Sequence, residues 1–78
     1  LTSEAIRIDA RGMRCPWPAL RAARGMREAD HLIILADDPA AAGELQALAT
    51  GSSWSFQSVE DEAGKYFVLD KRAISDLL

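Results

Sequence analysis

Apolar and polar residues alternate through Ala5-Ile6-Arg7-Ile8-Asp9-Ala10, the period of a half-buried strand. Gly12 then signals a turn. Past Cys15-Pro16-Trp17-Pro18 the pattern changes to helical spacing and runs to about Glu28. Leu20 and Ala23 fall on one side, with Arg21, Arg24 and Arg27 on the other. Gly25 lies inside this run and costs roughly 1 kcal/mol relative to Ala, so the last turns are expected to be weak.

The stretch from His31 to Ala36 contains Leu32-Ile33-Ile34-Leu35, an unbroken apolar run that predicts a strand buried on both faces. Asp37-Asp38-Pro39 follows as a helix start, with Asp38 as N-cap and Pro39 in the first helical position. An Ala-rich helix is expected over Ala40–Thr50, with Leu45 and Leu48 on one face and Gly51 as its stop. Trp54 and Phe56 alternate with Ser53, Ser55 and Gln57, giving a third strand over 53–59. A loop over 60–65 with Gly64 leads to a fourth strand over 66–71. Residues 72–78 read as a short helix or a frayed end.

The order is therefore β-α-β-α-β-β, in one domain over 1–78. Right-handed crossovers would put both helices on one face of the sheet, which makes an α/β two-layer sandwich with the other sheet face open. A doubly apolar strand 32–35 then needs cover on its open side. A partner, a homodimer contact, or plain exposure of one or two residues would each account for it.

Composition narrows the chemistry. The 78 residues hold one cysteine and one histidine, so neither an internal disulfide nor a structural zinc site is expected. With 49% hydrophobic residues, packing must carry the fold. A lone cysteine suits a reducing compartment, and no run approaches the roughly eighteen apolar residues of a membrane span. No signal-peptide pattern is visible, so a cytoplasmic location is expected. The net charge of −3 disfavours direct nucleic-acid binding. It is unevenly spread: six arginines against four acids leave +2 over 1–31, and three cations against eight acids leave −5 over 32–78. Ordinary solvated faces explain this, or else a basic docking surface built from Arg21, Arg24 and Arg27.

The densest chemical signal is Arg11-Gly12-Met13-Arg14-Cys15-Pro16-Trp17-Pro18. A residue before proline avoids the helical region, and proline fits the first turn of a helix, where its missing N–H is no loss. Cys15 is thus expected to be extended, at the N-cap of a helix starting at Pro16 or Pro18. The Trp17 N–H would be the chief free donor near the sulfur. A helix N-terminus and nearby Arg11 and Arg14 would lower the thiol pKa towards a thiolate. The opposing possibility is an inert buried cysteine, the usual fate of a free thiol. Prolines and arginines around it argue for the surface instead. Trp17 is expected to pack locally, without a catalytic role. His31 is expected to be an edge or loop residue, since nothing pairs it with Cys15 as a base. Asp37 and Asp38 are expected to be structural, although paired carboxylates can also bind a metal or a basic partner.

Without a second cysteine or a paired histidine, persulfide exchange is the thiol chemistry that asks least of the chain. The segment Asp9-Ala10-Arg11-Gly12-Met13-Arg14-Cys15-Pro16-Trp17-Pro18-Ala19-Leu20 resembles the signature of the TusA-like (SirA-like) sulfur-carrier family. Asp37-Asp38-Pro39-Ala40 matches that family's Asp-Asp-Pro before its second helix. The resemblance spans nearly the whole chain. It implies a four-stranded mixed sheet with two helices on one face, and no cofactor or metal. It further implies that Cys15 accepts sulfur as a persulfide, with Arg11, Gly12, Arg14, Pro16 and Pro18 supporting the thiolate. The implied donor is a cysteine desulfurase or rhodanese-type protein, and the implied acceptor a downstream protein in tRNA thiolation, molybdenum-cofactor biosynthesis or sulfur oxidation. Such a chain relays sulfur rather than acting as a stand-alone enzyme, as a monomer or weak dimer. Three departures from the family pattern stand out: Met13 for the usual Leu, no Gly in Glu28-Ala29-Asp30, and Glu44-Leu45 for Asp-Ile. None is expected to touch Cys15. The competing readings are a non-catalytic regulatory or interaction module of the same fold, and an RNA binder using its Arg face.

Overall fold

The computed structural model describes residues 5–62 and 64–71. Its elements follow the expected order: β1 (Ala5–Asp9), α1 (Trp17–Gly25), β2 (His31–Leu35), α2 (Ala41–Ser52), β3 (Ser55–Asp61) and β4 (Gly64–Asp70). The expectation for 72–78 lies outside the described residues.

The sheet runs β1-β2-β4-β3. β1 pairs with β2 in parallel, from Ala5 opposite His31 to Asp9 opposite Leu35. β4 pairs antiparallel with both β2 and β3, so it lies between the strands that α2 connects. The sheet is therefore mixed, with β1 and β3 at its edges.

One sheet face carries the core. Ile8, Leu32, Ile34, Phe67 and Leu69 are buried there against Ala22 and Met26 from the α1 side and Leu45 and Ala49 from α2. Phe56 stacks on Phe67, with ring centroids 5.9 Å apart. Small residues let the helices sit close. A methyl group added at Gly25 would meet Leu32 Cδ1 at 2.5 Å and Ile8 Cδ1 at 3.2 Å. The glycine that weakens the helix is what brings it down onto the sheet.

Several local expectations change. β2 is not buried on both faces: Leu32 and Ile34 are buried, whereas Ile33 and Leu35 are half-buried on the open face. There Ile33 is flanked by Arg7 and Val68, and Leu35 by Asp9 and Tyr66. The buried face of α1 is Pro18 and Ala22, leading to Met26, one turn apart at each step. Leu20 falls off that stripe and is 51% exposed. Helix α1 ends at Gly25, three residues early, and Arg27 and Glu28 continue as tight turns onto Arg24 and Gly25 carbonyls. Helix α2 runs through Gly51. Its stop is Ser53, at φ 61°, where the Trp54 N–H donates to the Ala49 carbonyl at 2.8 Å. The closing hairpin is longer than expected, because pairing continues to Asp61 opposite Gly64.

Candidate functional site around Cys15

Parallel pairing of β1 and β2 brings the carboxyl ends of both strands to one end of the sheet, and with them the loops that lead into α1 and α2. The first loop carries Cys15 and the second carries Asp37 and Asp38. They are joined by backbone donors and carboxylate acceptors. The Gly12 N–H donates to Asp37 Oδ1 at 3.0 Å, and the Cys15 N–H donates to Asp38 Oδ2 at 2.7 Å. Gly12 sits at φ 85°, a conformation that glycine adopts without steric cost.

Asp38 is not the N-cap of α2; Ala40 is, without a side-chain bond. The carboxylate instead divides its oxygens. Oδ1 accepts from the Ala40 N–H at 3.0 Å in a local turn, and Oδ2 reaches back to Cys15. The Ala40 and Cys15 amides, in that order, hold the Asp38 carboxyl below its ordinary value, with Arg14 adding to the effect. In place of the expected N-cap, Asp37 and Asp38 hold the cysteine loop.

Cys15 is exposed, as its prolines suggested. The N-cap of α1 is Pro16, at φ −99° and ψ 17°, so Cys15 stands one residue further out, and the Cys15–Pro16 peptide is cis. Pro18 is buried in the first turn. The Trp17 N–H is not a free donor near the sulfur: it donates to the Arg14 carbonyl at 2.8 Å. Trp17 is 59% exposed, and Leu20, three residues on, is 51% exposed.

The electrostatics run opposite to expectation. Arg11 forms a fork with Asp9, Nε to Oδ1 at 2.8 Å and Nη2 to Oδ2 at 2.7 Å. That pairing pulls the Asp9 carboxyl far below its usual range. The groups that act on the sulfur are acidic. The Cys15 thiol donates to Glu44 Oε2, from the first turn of α2. That hydrogen bond chiefly pushes the thiol pKa up, followed by desolvation and then by the negative charges of Glu44 and Asp38. These neighbours favour the neutral thiol, against the thiolate expected from the helix terminus and the arginines.

Glu44 is the residue that sequence reasoning missed. It was among the departures expected to lie away from Cys15. Twenty-nine positions separate the two, and only the β1–β2 pairing brings them together. His31 is at the other end of β2, with Nδ1 2.9 Å from Asp70 Oδ2. The arginines divide as well. Arg21 and Arg24 border a groove of about 360 Å³ along the β1 edge with Arg7, whereas Arg27 lies in the turn after α1.

The chain matches known proteins in three ways. Residues 6–71 match the family model described as "Sulfurtransferase TusA". The sulfur carrier protein TusA of Allochromatium vinosum is 30% identical over 69 residues, covering 85% of this chain and 91% of that protein. The crystal structure of a SirA-like protein from Desulfitobacterium hafniense superposes with a TM-score of 0.74 at 28% identity, covering 87% and 97% of the two chains.

Proposed function

The chain belongs to the TusA family of sulfur carriers, and from that premise we propose that Cys15 accepts a sulfane sulfur as a persulfide and passes it on. The observation that carries this reading is the placement of the sole cysteine. It is exposed, on a loop held by Asp37 and Asp38, with its thiol outside the core.

The reaction is an exchange. The Cys15 sulfur attacks the outer sulfur of a donor persulfide, a new S–S bond forms on Cys15, and the donor leaves as its thiol. Repeating the step towards an acceptor thiol, with the roles reversed, empties the carrier. The donor is a cysteine desulfurase or a rhodanese-type protein. The acceptor is a protein of tRNA thiolation, molybdenum-cofactor biosynthesis or sulfur oxidation. A reducing compartment such as the cytoplasm keeps the unloaded thiol free. No described helix is long and apolar enough to cross a membrane.

Both partners must approach the exposed end of α1. Trp17 and Leu20 offer an apolar patch there, and Arg21 and Arg24 follow along the helix.

Incubation with a cysteine desulfurase and cysteine is expected to add roughly 32 Da per sulfur, and Cys15→Ser to abolish the gain. If the wild-type protein never gains that mass while partner binding and cellular phenotype survive Cys15→Ser, the fold serves as an interaction module instead.

A further inference from the structure

We propose that Glu44 is the acid–base partner of Cys15, taking the thiol proton as the sulfur attacks and returning it to the thiolate that leaves. The proposal rests on the carrier reading above.

The geometry isolates this pair. Glu44 Oε2 accepts from the Cys15 thiol, and Glu44 Oε1 is buried with no hydrogen-bond partner among the described residues. A carboxylate serving the framework would be tied to backbone amides or a guanidinium, as Asp37, Asp38 and Asp9 are. Among the described residues, the one hydrogen-bond partner of the Glu44 side chain is the reacting atom. The single histidine, His31, is at the far end of β2 against Asp70, and the carboxylate of Asp38 is taken up by two backbone amides. The groups facing the sulfur are Glu44 from α2 and Asp38 from the loop before it, with Arg14 of the sulfur's own loop near Asp38.

A thiol held in its neutral form needs a local base to attack. Its proton passes from Sγ to Glu44 Oε2 while Sγ bonds to the donor's outer sulfur. The donor S–S bond breaks, and its electron pair stays on the donor's inner sulfur, which takes the proton from Glu44. The products are the Cys15 persulfide and a donor thiol, with no net oxidation. Glu44 ends as it began, ready for the reverse step towards an acceptor.

Two rates on Glu44→Gln separate this role from simple suppression of the thiolate. Alkylation by iodoacetamide needs only thiolate, so removing the negative charge is expected to speed it several-fold at pH 7. Single-turnover sulfur transfer from glutathione persulfide is expected to slow by about 10²-fold, at the low end of general acid–base contributions. In Glu44→Ala, added formate is expected to restore part of the transfer rate, which a structural role would not allow. Circular dichroism verifies that both variants are folded. If transfer accelerates together with alkylation, or is unchanged, the proposal is overturned while the carrier reading stands. If wild-type protein takes up no sulfur, both fall.

Discussion

Asp38 holds the backbone amide of Cys15 at 2.7 Å across 23 residues of sequence. Its other oxygen fixes the approach to α2. One carboxylate therefore sets both the position of the sulfur loop and the start of the helix that delivers Glu44.

This arrangement predicts an acid-sensitive site. The Asp38 carboxyl is held below its ordinary value, as is that of Asp9 by Arg11. A depressed carboxyl contributes stability above its unfolded pKa of about 4, and that contribution is lost as pH falls through the folded value. Thermal melts are expected to lose stability progressively below about pH 4, with a shallower acid slope in Asp38→Asn. In Asp38→Ala the Cys15 amide should exchange hydrogen at least about tenfold faster at pH 7, because its acceptor is gone. An unchanged exchange rate would show that the loop holds itself.

Gly25→Ala sets two effects against each other. Helix propensity favours Ala by roughly 1 kcal/mol. Overpacking against the buried Leu32 and Ile8 costs roughly 1–3 kcal/mol. The net expectation is destabilisation by about 1 kcal/mol, a fall in Tm of about 5 °C for a chain this size. Gly43→Ala is the control, since nothing lies within 4 Å of the added methyl. It should be neutral or stabilising by up to about 1 kcal/mol. Differential scanning calorimetry of the two variants decides whether close packing outweighs propensity at Gly25.

Exposed Trp17 and Leu20 are expected to matter for encounter rather than for folding. Truncating both to Ala should move stability by about 0.5 kcal/mol or less per site. Sulfur transfer from a protein donor should slow about tenfold or more, while transfer from glutathione persulfide stays near wild type. Equal slowing with both donors would mean that the two residues shape the sulfur's surroundings instead.

Residues whose role depends on near neighbours were legible in the sequence. The Cys15-Pro16-Trp17-Pro18 run implied an exposed thiol at a helix start, and alternation, helical spacing or, for β2, an unbroken apolar run implied the elements. Where the reading failed, the deciding contact was distant in some cases and only two residues away in others. Ile33 and Leu35 are as apolar as Leu32 and Ile34, and only the position of the helices tells which pair is covered. Leu20 looked like a core residue until Pro18 and Ala22 fixed the phase of α1. Arg11 was expected to serve Cys15 but pairs with Asp9, two residues away. Glu44 could be assigned to the sulfur only once the β1–β2 pairing was known.

The strand register also fixes how the molecule can be handled. Ala5 lies opposite His31, and His31 lies opposite Asp70. Ala5 and Asp70 therefore both lie at the end of the sheet opposite the Cys15 loop, separated from it by a five-residue strand of roughly 16 Å. A tether joined directly at Ala5 or Asp70 would start from the end of the sheet opposite the thiol.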